Sequence, residues 1–278
     1  MQRTRSISFT QITVFILMGI ILILYALPYI YLVLTSFKRP TDVLSIPPTL
    51  FPERFSFENY LKIGTLPSIP GNLANSLVTA LLSTSLTLLL ATPAAYAVSR
   101  YGTKVGRIFL IVALATCMVP YVSIAIPLFF MMKSLHLMDT QLALAIGHMT
   151  ISMPLAVWLL ASFFEGVPSE LEEAAQVDGC SRLGALLKVI IPISWGGISV
   201  AAIFSFLASW NDLLFALFLT SVNAKTTPLA IADLNTQFGV EWGTMTALAT
   251  LFSLPVIIVT FFLQRRIVAG ATLGAVKG

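Results

Sequence analysis

Six stretches of this chain, near residues 12–36, 74–98, 108–132, 141–164, 193–220 and 243–263, stay apolar for longer than a globular core requires. A hydrocarbon layer about 30 Å thick is crossed by roughly 20 helical residues, and each stretch reaches that length. Composition agrees: 57% of the 278 side chains are hydrophobic, 10% are charged and mean hydropathy is +0.92, so a soluble domain of this size would lack polar surface. No run alternates with period two in segments of about 10 residues, which argues against a barrel. The expectation is an all-α polytopic membrane protein, one transmembrane domain over residues 1–278 with six spanning helices.

Each run holds a proline within it or at its edge: Pro28, Pro93, Pro120 with Pro127, Pro154, Pro192 and Pro255. Inside a helix a proline removes a backbone hydrogen bond and bends the axis, so the spans are expected to be kinked and able to enclose a cavity. The ordinary proline content of membrane helices accounts for the same residues without a cavity. Stretches such as ATPAAYA (91–97) and SWGGISVAA (194–202) favour close helix contact in either case.

With the N-terminus on the cytoplasmic side, the inner loops and ends hold Arg3, Arg5, Arg100, Lys104, Arg107, Arg182, Lys188, Arg265, Arg266 and Lys277. The outer loops hold Lys38, Arg39, Arg54, Lys62, Lys133 and Lys225, and this excess places both termini inside. Arg3 and Arg5 precede an apolar run too long for a cleaved leader and without a small-residue cleavage site, so the first span is expected to be retained. Cys117 falls in the third span and Cys180 in an inner loop, which argues for two free thiols. The net charge of +4 is accounted for by membrane orientation and anionic lipid and gives no support to a nucleic-acid partner.

The inner loop over residues 165–190 contains GVPSELEEAAQVDG, with five acids and no base between Glu165 and Asp178. Ser169 followed by Glu172 reads as a capping box, and Gly179 as a left-handed stop, which brackets a helix of about nine residues. Leu171, Ala175 and Asp178 fall on one narrow face. An interfacial lipid-binding helix would carry Lys and Arg beside bulky apolar residues. Acids and alanines instead suit close docking against another protein.

EAAQVDG (173–179), followed after nine residues by VIIP (189–192), resembles the EAA loop of binding-protein-dependent ABC importer permeases. Val189 and Ile191 are conservative departures at its two aliphatic positions. TSFK, NSL (75–77), AAYAVSRY, WND (210–212) and the terminal GATLGAVKG (270–278) extend the resemblance along nearly the whole chain. They are most similar to the carbohydrate-uptake branch, in particular the smaller permease of maltose-type importers. The resemblance implies a type I importer permease fold in a bacterial-type cytoplasmic membrane. It also implies a second permease (favouring a heterodimer), two cytoplasmic ATPase subunits and an extracytoplasmic solute-binding protein. Glu173, Ala174, Ala175, Asp178 and Gly179 would belong to the helix that couples to the ATPases, with Pro192 ending the return segment. A cofactor bound by this chain is not expected; ATP and magnesium would sit on the partner subunits.

Within the chain there is no phosphate-binding G-x-x-x-x-G-K-[ST], H-E-x-x-H or G-x-S-x-G motif, and His136 and His148 have no ligand cluster around them in the sequence. Catalytic and metal residues are therefore not assigned. Trp210, Asn211 and Asp212 interrupt an apolar run and are candidates for a substrate path, or Asp212 holds a neighbouring helix by a hydrogen bond. Residues 38–73 and 235–243 are available to a binding protein outside, or are plain connections. The function read here is ATP-driven import of a sugar or related carbohydrate. The alternatives are import of a different solute by the same machinery and an autonomous ion-coupled carrier, for which an acidic coupling loop has no use.

Overall fold

The computed structural model describes residues 9–102, 104–236 and 239–273, with side chains placed between 12 and 261. The expectations resting on Arg3, Arg5, Lys277, the end of the 270–278 stretch and the side chains of Arg265 and Arg266 lie outside the described residues.

Helix α1 (Phe9–Ser36) is followed by α2 (Glu58–Thr65), α3 (Ser68–Tyr101), α4 (Lys104–Thr116), α5 (Tyr121–Ser134), α6 (Gln141–Glu165) and the short α7 (Ser169–Val177). A helical stretch then runs through α8 (Arg182–Ala185), a π-turn (Leu186–Ile190) and α9 (Ile191–Ile193). Beyond Ser194 come α10 (Trp195–Trp210), α11 (Leu214–Leu219), α12 (Thr227–Ala232) and α13 (Trp242–Leu273). Strands β1 (Asn235–Thr236) and β2 (Gly239–Val240) pair antiparallel, Asn235 opposite Val240.

Helices α1, α3, α6 and α13 are long and apolar enough to cross a membrane as continuous rods. Pro28, Pro93, Pro154 and Pro255 lie inside them. The other two apolar runs are broken rather than kinked. Helices α4 and α5 meet at 96°, and Arg182–Ile193 meets α10 at 83°, so six spans are reached only if each bent pair counts as one. Proline explains the first break; the second falls at Ser194, two residues past Pro192, where ψ opens to 15°. Pro120 has no amide to continue α4 and starts α5 from an extended conformation (ψ 129°). Pro192 has no amide for a partner four residues back, and the π-turn before it takes up the irregularity, with Ile191 N–H donating to the Leu186 carbonyl.

The run expected as one helix over 193–220 stops again at Trp210 and resumes at Leu214. Asn and Asp compete with the helix for its own backbone, and here they do so directly. The Asn211 amide donates to the Leu207 carbonyl at 2.9 Å, and Asp212 accepts the Phe215 N–H at 2.8 Å, opening α11.

The chain groups into two compact units, residues 1–67 with 233–253 and residues 68–232 with 254–278. In the larger unit α3 packs on α6, and α10 on both. Small residues permit this approach: Ala91 and Ala95 of α3, Ala156 and Ala161 of α6 and Ala201 of α10 share one buried cluster with Leu160, Phe164, Leu186 and Ile190. Gly197 of α10 is placed so that a β-carbon there would lie 2.3 Å from Phe163 Cγ. Buried hydroxyls pair across helices, as Thr87 does with Ser152 at 2.9 Å. In the smaller unit Asn59 ties α2 to the end of α1, donating to the Ser36 and Lys38 carbonyls at 2.9 and 2.8 Å. Lys62 pairs with Glu241 at 2.7 Å, a hydrogen bond that holds the Glu241 carboxyl below its ordinary range.

Candidate functional site

Helix α7 matches the bounds read from its flanking residues, and its end is a Schellman motif. Gly179 adopts φ +88°, its N–H donates to the Gln176 carbonyl, and Cys180 N–H reaches back to the Ala175 carbonyl at 2.9 Å. Its beginning departs from the expectation. Pro168 is the N-cap and no side chain caps the helix, so the Ser169–Glu172 capping box does not form. Tertiary pairing takes Glu172 away from its local role.

Glu172 points inward and is buried. Its Oε1 accepts the Tyr96 hydroxyl, and its Oε2 lies 2.9 Å from Arg100 Nε in an ion pair. Arg100 Nη1 also donates to the Val167 carbonyl at 3.0 Å, just ahead of α7. Behind α7, Arg182 donates to the Tyr101 hydroxyl and lies over that ring at 5.4 Å. Glu170, Glu173, Ala174, Val177 and Asp178 face outward, Ala175 is half-buried, and Val177 is 87% exposed. Pro192 is exposed in the return segment. The result is a short acidic stub, open on one face and keyed on the other to the end of α3.

Of the three candidates for the substrate path, Trp210 is buried and stacks on Phe206 at 5.5 Å, while Asn211 is exposed. Asp212 lies 3.1 Å from His148 Nε2, and His148 Nδ1 lies 2.6 Å from the Ser209 hydroxyl. His148, which has no neighbour of chemical interest in the sequence, is thus the buried partner of both residues and bridges α6 to the end of α10. Nearby, Asp139 has φ +59° and gathers the backbone N–H groups of Ser221, Val222, Asn223 and Ala224. Burial raises the Asp139 carboxyl, but these donors outweigh it and hold the group well below the usual carboxylate range.

A cavity of about 550 Å³ opens at the break between α4 and α5. Tyr121, Ser152, Phe204, Ser205 and Cys117 are among its walls, and none of Trp210, Asn211 and Asp212 lines it. The volume is within the range of small-molecule sites, and the lining is mostly apolar with a few hydroxyls. Among the described residues no three His, Cys, Asp or Glu side chains come together in a way that would hold a metal ion.

Apolar helices around a cavity, with a charged stub at one end of the bundle, define a membrane transport subunit. Residues 87–272 match the family described as binding-protein-dependent transport system inner membrane component, and the chain belongs to that family. It is a permease subunit of an ABC importer and not an enzyme. The sulfoquinovosyl glycerol transport system permease of Agrobacterium fabrum is 35% identical over 95% of this chain and 93% of its own. The trehalose/maltose transport system permease of Thermococcus litoralis is 35% identical over 95% and 94%. A chain of a solved bacterial ABC transporter involved in the import of the acidic polysaccharide alginate shares the fold, with TM-score 0.78 and 24% identity over 95% of this chain and 99% of that one.

Proposed function

We propose that this subunit translocates a sugar or related carbohydrate across a bacterial-type cytoplasmic membrane, with both termini and α7 on the cytoplasmic side. The solute is handed over by an extracytoplasmic binding protein, for which the segments 38–73 and 235–243 are the proposed contact region. A second, different permease chain completes the pathway. Two ATPase subunits hold ATP and magnesium, and this chain binds neither.

In this reading Glu173, Ala174, Ala175, Asp178 and Gly179 form the coupling helix and Pro192 closes the segment behind it. The observation that carries the reading is the two-faced α7: Glu172 is spent on the bundle, while Glu170, Glu173, Val177 and Asp178 stand uncovered. An apolar Val177 exposed beside three carboxylates is a surface suited to a protein cleft. Rigid seating lets a nucleotide-driven movement pass into the helices.

The names of the relatives favour carbohydrate, and the cavity at the α4–α5 break presents the Tyr121 hydroxyl beside the rings of Tyr121 and Phe204, with Ser205 and the Thr87-paired Ser152 among its walls. Asn211 adds an exposed amide at the end of α10. The ion-coupled alternative loses its main support, because Asp212 is occupied by His148 and by the start of α11.

Cys180 tests the coupling assignment. It follows α7 directly and is partly exposed, so with Cys117 replaced by Ser it is expected to crosslink to an ATPase subunit in the assembled importer. Failure to crosslink in any nucleotide state would refute the assignment.

A further inference from the structure

We infer that Tyr96, Arg100 and Glu172 form the joint that fixes α7 to the helix bundle, and that α3 receives the displacement of α7 through them. The inference rests on the coupling reading of α7. Its backbone connections are poorly suited to carry torque. Three residues, Gly166 to Pro168, precede α7, and Gly179 with φ +88° follows it. Side chains supply the missing stiffness.

A carboxylate that is only 8% exposed, as Glu172 is, persists in a fold only when its charge is met by a cation or several donors. Here the Arg100 guanidinium and the Tyr96 hydroxyl meet it, 76 residues away in the chain for Tyr96. Tyr96 and Arg100 are four residues apart, on one face of α3, so both grip the same point. The same guanidinium holds the Val167 carbonyl ahead of α7, and Arg182 on Tyr101 fastens the chain behind it. All four ties converge on the last turns of α3. Helix α3 in turn packs on α6 and α10, so a push on α7 reaches the cavity walls without relying on the loop peptides.

Tyr96, Arg100 and Glu172 are positioning residues, and a structural role alone would change assembly without separating it from motion. The test uses the complete importer with its binding protein, reconstituted in proteoliposomes, and needs no identified solute. The probe is fluorescein maleimide on Cys117, which lines the cavity. Its labelling rate is compared in ADP and after trapping with ATP and vanadate.

In the wild type the two rates are expected to differ. In Glu172→Gln and in Tyr96→Phe, which removes a single hydroxyl, the difference is expected to shrink about tenfold. Copurified ATPase and Cys180 crosslinking should persist in both. Exchanging the charges with Glu172→Arg and Arg100→Glu together should restore at least about half of the response. If Glu172→Gln fails to assemble, Tyr96→Phe decides. A wild type indifferent to nucleotide, a full response in Tyr96→Phe, or a charge exchange that restores assembly without the response would overturn the inference. Loss of Cys180 crosslinking in the wild type would instead overturn the coupling reading beneath it.

Discussion

Gly197→Ala is the sharpest probe of the packing between α6 and α10. The added β-carbon would lie 2.3 Å from Phe163 Cγ, 2.6 Å from Cδ2 and 2.8 Å from Cβ. Ordinary contact begins at 3.4 Å, so the nearest pair must separate by 3.4 − 2.3 = 1.1 Å. Cβ and Cγ are the root of the Phe163 side chain, and no χ1 rotation withdraws both, so the helices themselves must part. Because the helices themselves must part, the cost falls in the upper part of the overpacking range, about 2–3 kcal/mol, and alanine returns about 1 kcal/mol in helix propensity. The net loss is about 1–2 kcal/mol, or roughly 2–8 °C in Tm for a domain of 150–250 residues. Thermal unfolding of the detergent-purified complex followed by intrinsic fluorescence reads it directly. Adding Phe163→Ala should make the double variant less destabilised than the sum of the singles, because the clashing ring is gone. An unchanged Tm for Gly197→Ala, or strict additivity in the double variant, would refute the close approach of α10 to Phe163.

Asp139→Asn should lower stability at neutral pH by about 1–2 kcal/mol, the low side of charge-assisted hydrogen bonding because the site is partly exposed. The folded-state pKa of Asp139 is depressed, so its contribution is present above the unfolded value near about 3.9 and fades as the pH falls through and below it. The gap between variant and wild type should therefore close in acid; a gap that persists there would rule out the carboxylate as its source. At Gly179, whose φ of +88° L residues rarely adopt, alanine should cost about 1–2 kcal/mol. Gly179→Pro should abolish uptake while leaving the amount of protein in the membrane unchanged, as immunoblotting of membranes would show. Undiminished transport by Gly179→Pro would sink the view that the shape of α7 matters.

Local punctuation explains what was legible in the sequence. Ser169 and Gly179 bracket α7 within a residue or two, although the cap itself is Pro168, and the apolar runs locate the four continuous membrane-length helices. Distant pairing explains what was not. Glu172 satisfies the local rule for a capping box, yet its partners lie on α3, and Arg100 looked like a vote for membrane orientation. His148 meets Asp212 across 64 residues, a pairing that no motif announces. Hydropathy is also blind to direction: CMVP at 117–120 is as apolar as its neighbours, so a right-angled break at Pro120 reads the same as a gentle kink.

Between residues 12 and 31, helix α1 leaves nearly all its side chains uncovered within its own unit, its Tyr29 hydroxyl paired with Ser253 at 2.7 Å. Such a rod could be inserted, shortened or exchanged with little effect on how the remainder melts. Transport lost on trimming it would then be a readout of what it touches beyond its own polypeptide, separate from any damage to folding.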